Sequence, residues 1–161
     1  MRAQRSGRII NITSIGGKIW SLLGAWYHAS KFAVEGFSDA LRNEVRPFGI
    51  DVVVIEPGAI KTEWAGVAAD NMRKTSGHGP YKPLVDKMTA MFTGRLAEKN
   101  AAPPSVIANA IWRAASVRRP RARYVAPFAG KVILWLRYWL SDRAFDWLFG
   151  KLVGAPKTLG A

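Results

Sequence analysis

The chain has 161 residues, is 49% apolar and carries a formal net charge of +13, enough apolar material for one modest core. Cysteine is absent, which excludes a disulfide framework, a thiol nucleophile and a cysteine metal site. With His28 and His78 as the only histidines, no metal centre is expected. The charge is uneven: residues 81–161 hold fourteen Lys/Arg against four Asp/Glu, and residues 1–80 hold ten against seven. That asymmetry points either to an anionic partner or to a solvated basic face. Nucleic acid is not expected, because the bases are dispersed among core-like segments and form no recognised binding motif. Val132–Leu136, the longest apolar run near the C-terminus, is bracketed by Lys131 and Arg137 and falls far short of the roughly 20 residues of a membrane span. Met1–Arg5 leads into no apolar leader segment, so a cytoplasmic protein is expected.

In chain order, Arg8–Ile12 reads as a short buried strand, since Ile9, Ile10 and Ile12 are β-branched and turn-prone residues follow. Residues 15–25 read as a glycine-containing loop. Small or apolar residues at Ala29, Phe32, Ala33, Gly36, Phe37, Ala40, Leu41 and Val45 recur at helical spacing. They predict a long amphipathic helix from about 26 to 46, ended by Pro47 and turned by Phe48–Gly49. Ile50–Ile55 is a second strand, buried on both faces by its continuous apolar character. A strand–helix–strand unit of this length implies parallel pairing. Residues 66–83, with Gly66, Gly77, Gly79, Pro80 and Pro83, read as a mobile excursion. Leu84–Leu96 is expected to be helical, and Pro103-Pro104-Ser105 opens a further helix to about Val117. A basic turn at Arg118–Arg121 precedes a short strand at Arg123–Val125. Pro127 then leads into an aromatic helical tail with a break and new cap at Ser141-Asp142. Asn11 is expected to be a structural amide, His28 to pack against a loop, and Trp26 to line a substrate cleft.

The most informative stretch is Tyr27-His28-Ala29-Ser30-Lys31. A tyrosine and a lysine four residues apart lie one above the other on a helix. A cation beside a phenol favours the phenolate, which suits such a pair to proton exchange. Ser14 lies thirteen residues upstream at the end of the first apolar run, and Pro57-Gly58-Ala59-Ile60-Lys61-Thr62 follows the second. Taken together, Gly7–Ser14, Tyr27–Lys31 and Ile50–Thr62 resemble the short-chain dehydrogenase/reductase family in order and spacing.

The resemblance implies an α/β fold, a Rossmann-like doubly wound parallel sheet, and NAD(P)-dependent hydride transfer between a nicotinamide and an alcohol or ketone. It makes Tyr27 the general acid/base. Lys31 supports the tyrosine and holds the nicotinamide ribose, and Ser14 orients the substrate oxygen. Pro57, Gly58, Ile60 and Thr62 join Tyr27 and Lys31 as cofactor contacts. It also implies a homo-oligomer when the fold is complete. The family's glycine-rich strand–helix turn for the pyrophosphate is absent from this sequence, as is its helix asparagine. The chain is therefore expected to correspond to the C-terminal half of such a domain, beginning just before the fifth strand, with the choice between NAD and NADP undetermined. By itself it is expected to bind no nicotinamide cofactor tightly.

Residues 1–126 are expected to form the catalytic half-domain, with a substrate excursion at about 66–100, and residues 127–161 a basic aromatic tail. Trp64, Val67, Met72, Tyr81, Leu84, Met88, Met91 and Phe92 in the excursion favour a bulky apolar substrate, such as a lipid, steroid or retinoid-like carbonyl or alcohol. Trp135, Tyr138, Trp139, Phe145, Trp147 and Phe149 alternate with Lys131, Arg137, Arg143 and Lys151 in the tail. That pattern suits core or dimer packing, a cover over the substrate mouth, or association with a membrane surface. The alternative function is a truncated, non-catalytic fragment acting as an interaction or membrane-surface module.

Overall fold

The computed structural model describes residues 1–152 and Gly154. Its elements in order are β1 (Gly7–Ile12), α1 (Ala25–Val45), β2 (Ile50–Pro57), α2 (Trp64–Ser76), α3 (Lys82–Thr93) and α4 (Arg95–Asn100). They are followed by α5 (Ser105–Ser116), β3 (Arg123–Ala126), α6 (Phe128–Trp139) and α7 (Asp142–Leu152). The tail foreseen over 127–161 extends past the described residues at Val153 and 155–161.

The three strands form one parallel sheet in the order β1-β2-β3. The register runs Gly7↔Ile50 through Ile12↔Ile55, and Val54↔Arg123 through Pro57↔Ala126. Side chains alternate across a strand, so this register sorts the sheet into two faces. Ile10, Val53, Ile55 and Tyr124 face α5, where Ile107, Ile111 and Ala114 close an apolar core. Asn11, Val54, Glu56 and Arg123 share the other face, which α1 covers: Asn11 Nδ2 donates to Ser38 Oγ at 2.9 Å, and Arg123 Nε donates to Glu35 Oε2 at 3.1 Å. Helices thus cover both faces of a parallel sheet, the arrangement expected from the two apolar strands.

Arg8 fastens the C-terminal end of α5 to the sheet. Its Nη1 donates to the carbonyls of Ala114, Ala115 and Val117 at 2.7, 2.8 and 2.9 Å. Its Nε and Nη2 reach Asp51 Oδ2 at 3.2 and 2.7 Å. The last carbonyls of a helix lack internal partners and carry partial negative charge, so a guanidinium is well suited to them.

Two expectations are corrected. Residues 66–83 are not a loop excursion: α2 spans Trp64–Ser76 and packs against α3, burying Ala69, Leu84, Val85 and Met88 between them. The helix foreseen over 84–96 begins earlier, at Lys82, and is broken at Gly94 into α3 and α4. The second correction concerns α1. An apolar stripe on an amphipathic helix ordinarily faces the core. Here Ala29, Phe32, Ala33, Gly36, Phe37 and Ala40 face solvent, and the buried residues are His28, Glu35 and Ser38. Polar groups on the covered sheet face supply partners for this buried side.

Candidate active site

The candidate site lies beyond the C-terminal ends of β1 and β2, where open parallel α/β sheets bind ligands. Thr13 extends β1 by one step, donating its N–H to Ile55 O at 2.9 Å. Ser14 follows. Its Oγ caps a single 3-10 turn at Ile15–Gly17 by accepting the Gly16 N–H at 3.0 Å, and it sits 3.4 Å from the Pro57 carbonyl. The half-buried Ser14 therefore bridges the exits of the adjacent strands β1 and β2.

The loop between Ser14 and α1 lies close against the helix. A Cβ on Gly17 would fall 2.8 Å from Glu35 Cγ and 3.0 Å from the Lys31 carbonyl. One on Gly16 would fall 3.0 Å from Tyr27 Cε1. His28, expected to pack against a loop, pins this one. The Ser21 N–H donates to Nε2 at 2.8 Å, which leaves Nδ1 to donate to the Gly16 carbonyl at 2.7 Å. Ser21 Oγ lies 2.8 Å from the same Nε2.

Tyr27 occupies the first turn of α1 with its ring 5.3 Å from both His28 and Trp64, and Trp64 in turn lies 5.7 Å from Phe92. Lys31 Nζ stands 5.9 Å from the Tyr27 ring centroid and 3.5 Å from the Ile12 carbonyl. The lysine thus places its ammonium between the tyrosine and the end of β1. A cleft of about 230 Å³ opens beside Tyr27, lined by Leu22, Leu23, Trp64, Met72 and Phe92, with Ser21, Asn71 and Thr75 as polar edges. A second hollow, between α1 and α6, shares no residue with it. Trp26, expected in the cleft, points away and is 89% exposed; one step from Tyr27 on a helix turns a side chain by about 100°. Of the excursion residues, Trp64, Met72 and Phe92 line the cleft, Leu84 and Met88 are buried, and Val67 and Tyr81 are exposed.

The Pro57–Thr62 segment leaves β2 along the rim. Gly58 donates its N–H to Ala126 O at 2.8 Å, and a Cβ there would meet Pro127 Cδ at 3.2 Å. Ile60 bridges to Ala102 in parallel fashion, which ties the rim to the approach to α5. Thr62 Oγ1 accepts the Trp64 N–H at 3.4 Å at the start of α2, which carries Trp64 to Tyr27.

Beneath the site lies an acid cluster that the sequence reading did not identify. Glu35, 4% exposed, accepts Thr13 Oγ1 at 2.5 Å and forms ion pairs with Lys18 at 3.2 Å and Arg123 at 3.0 Å. Glu56, 1% exposed, lies 3.6 Å from Arg123 Nε, and its Oε1 has no hydrogen-bond partner among the described residues. Burial pushes the Glu56 carboxyl up to about 7, and the Glu35 charge adds to the rise against the pull of Lys18 and Arg123. Asp39 goes the other way: burial raises it, but the guanidiniums of Arg123 and Arg42 outweigh that and hold it below the ordinary range. The available signals were Glu56 at the end of the apolar run Val52–Ile55, and Glu35 amid small residues. No cluster of three or more metal-ligating side chains occurs among the described residues.

The family model described as short chain dehydrogenase matches residues 1–73. The "NADPH-dependent 3-dehydrocapnine reductase" of Ornithobacterium rhinotracheale is 34% identical over 151 residues, covering 92% of this chain and 52% of that protein. The "3-ketodihydrosphingosine reductase" of Bacteroides thetaiotaomicron is 33% identical over 149 residues, covering 91% of this chain and 54% of that protein. Among solved structures, a short-chain dehydrogenase from Streptomyces avermitilis superposes with a TM-score of 0.67 at 27% identity, over 94% of this chain and 53% of that one. The chain spans about half the length of the curated relatives it matches.

Proposed function

Because this chain belongs to the short-chain dehydrogenase/reductase family, we propose that it carries the proton-transfer half of an NAD- or NADP-dependent oxidoreductase acting on an alcohol/ketone pair. The observation that supports the reading is the place of Lys31 Nζ, 5.9 Å from the Tyr27 ring and 3.5 Å from the Ile12 carbonyl at the end of β1. Ser14 follows β1 and reaches the Pro57 carbonyl, and Tyr27, but neither Ser14 nor Lys31, lines the mainly apolar cleft.

In the direction of reduction, Tyr27 is the general acid and its hydroxyl hands a proton to the carbonyl oxygen. Ser14 donates a hydrogen bond to the same oxygen. Two donors aimed where negative charge develops stabilise the transition state more than the ground state. The Lys31 ammonium stabilises the phenolate left on Tyr27 until solvent returns a proton. In oxidation the same groups run in reverse, with Tyr27 as base.

The residues present fit the nicotinamide end of a dinucleotide. Lys31 offers an ammonium at the strand ends, and the Pro57–Thr62 rim offers backbone groups from Ile60 and the Thr62 hydroxyl. A bound nicotinamide would supply or accept the hydride. The sequence contains no glycine-rich strand–helix turn to receive the pyrophosphate.

The cleft walls of Leu22, Leu23, Trp64, Met72 and Phe92 support a bulky apolar substrate, and the name of the Bacteroides relative is that of a reductase of a keto compound. The solvent-facing stripe of Ala29, Ala33, Gly36 and Ala40 on α1, with exposed Phe37 beside it, supports a homo-oligomer, since small residues let a partner helix approach closely.

The test is oxidation of NADH and NADPH with a panel of apolar ketones, using the polypeptide expressed from the full reading frame that contains this chain. Tyr27→Phe is expected to lower turnover by about 10²–10⁴-fold, the usual range for loss of a general acid. Turnover retained in that variant would remove Tyr27 from the mechanism. The exposed aromatic and basic surface of α6 and α7 favours a second reading, a non-catalytic interaction module. Absence of dinucleotide binding and of turnover with every ketone would support that reading instead.

A further inference from the structure

The aromatic tail allowed three fates on sequence grounds: packing inward, covering the site mouth, or meeting a surface. The helix α6 docks on the sheet through Gly130, which is buried; a Cβ there would lie 3.1 Å from Ile15 Cγ2 and 3.2 Å from Val125 Cγ1. At about 100° per residue, Phe128, Val132, Trp135 and Trp139 fall on the opposite side of the helix. They are 74%, 44%, 61% and 67% exposed, and Tyr138 beside them is 80% exposed. None of these lines the Tyr27 cleft. The helix α7 is held by its inner face, with Phe145 stacked on Phe149 at 5.1 Å and Phe149 edge-on to Trp20 at 5.2 Å. Its outer face, opposite Phe145, presents Trp147, and Leu148 and Leu152 nearer the Phe145 side are exposed as well.

The charges beside these aromatics are mostly positive. Lys131 and Arg143 are exposed, and Lys151 Nζ lies 4.0 Å over the Trp147 ring. Both acids of the segment are engaged: Asp142 with Arg137 at 2.6 Å and Asp146 with Trp20 Nε1 at 2.7 Å. Trp and Tyr join an apolar body to a polar tip and concentrate at membrane–water interfaces. A twelve-residue helix is about 18 Å long, too short to span a bilayer but suited to lying in its surface plane. An anionic bilayer complements the exposed Lys131 and Arg143 beside the aromatics. The pairing edge left open on β1 lies across the sheet from β3, the strand that α6 contacts.

We propose that the ridge of α6, with the outer face of α7, seats this protein in the surface of an anionic membrane. The inference does not depend on the chemistry of Tyr27. The test is co-sedimentation with phosphatidylcholine vesicles with and without phosphatidylserine, comparing wild type, Trp135→Ala/Trp139→Ala and Lys131→Glu/Arg143→Glu. All four positions are exposed, so the far-ultraviolet circular dichroism should be unchanged in both variants. Wild type is expected to bind the phosphatidylserine vesicles, with a blue shift of tryptophan emission. Each double variant is expected to bind about tenfold more weakly. Raising salt from about 0.1 to 1 M, which cuts the screening length from about 10 to 3 Å, should weaken wild-type binding further. Equal pelleting of wild type and the tryptophan variant would overturn the proposal, as would no preference for phosphatidylserine. A wild-type dimer that the tryptophan variant splits in sedimentation velocity, without lipid binding, would instead assign the face to a second copy.

Discussion

Replacing Glu56 by Gln probes the acid cluster beneath the site. The Glu56 carboxyl is pushed from its ordinary 4.5 to about 7, first by burial and then by the Glu35 charge. Between those values the folded chain keeps a proton that the unfolded chain has released. Stability therefore falls as pH rises through this window and levels off above the folded value. The gap of about 2.5 units, at about 1.4 kcal/mol per unit, amounts to roughly 3 kcal/mol. Asp39 acts in the opposite sense: its lowered value contributes stability above its ordinary 3.8 that is lost as pH falls below it, outside the Glu56 window. The assay is urea unfolding of wild type and Glu56→Gln at intervals from about pH 5 to pH 8. Wild type should lose on the order of 3 kcal/mol across that range. The amide resembles the protonated acid in shape and keeps a donor, so Glu56→Gln should lack this slope and be the more stable protein at the upper end. Parallel profiles for the two proteins would refute the argument that Glu56 holds its proton to near neutrality.

Two further outcomes test the frame around the site. Arg8→Ala should destabilise the chain by about 3 kcal/mol in urea unfolding, because it strips two carbonyls of α5, that of Val117 just past it, and Asp51 of a charged partner. A loss below about 0.5 kcal/mol would mean that water satisfies those carbonyls equally well. His28→Ala should cost about 1–3 kcal/mol and raise amide exchange across residues 15–24, since it removes the bridge between Ser21 and Gly16. Unchanged exchange there would show that the glycine contacts alone hold the loop.

The sheet was legible because short runs dominated by β-branched residues have few other fates: Arg8–Ile12 and Ile50–Ile55 were located within a residue or two, and their parallel pairing followed from the helix between them. The burial expected of β1 is corrected: as an edge strand it is half-buried and Ile12 is exposed. The candidate site residues were chosen by spacing and resemblance, and the fold places Ser14 by Pro57 and Lys31 by Tyr27. The helix α2 was missed because Gly66 and Gly77 read as punctuation. What makes it a helix is its contact with Leu84, Val85 and Met88 on α3, a tertiary effect that overrides local preference. The buried side of α1 was missed for a related reason. Periodicity registers which residues are apolar, not which polar residues will find charged partners. Glu35 is buried because Thr13 and Lys18 from the β1–α1 connection and Arg123 from β3 converge on it.

That polar side of α1 has a consequence for how the chemistry is aimed. Apolar contacts are nearly non-directional, and a helix seated on leucines can roll by several degrees with little loss. A carboxylate held by a hydroxyl, an ammonium and a guanidinium has a defined direction, as do the amide–hydroxyl bond at Ser38 and the two nitrogens of His28. These bonds lie along more than two turns of one helix, so they index its rotation about its own axis much as a keyway indexes a shaft. Tyr27 and Lys31 ride on that same helix, and their azimuth over the ends of β1 and β2 is set by bonds that neither side chain makes. Repacking Glu35, Ser38 and Thr13 with aliphatic residues would keep the helix in place and still let the hydroxyl of Tyr27 swing away from the position proposed for it.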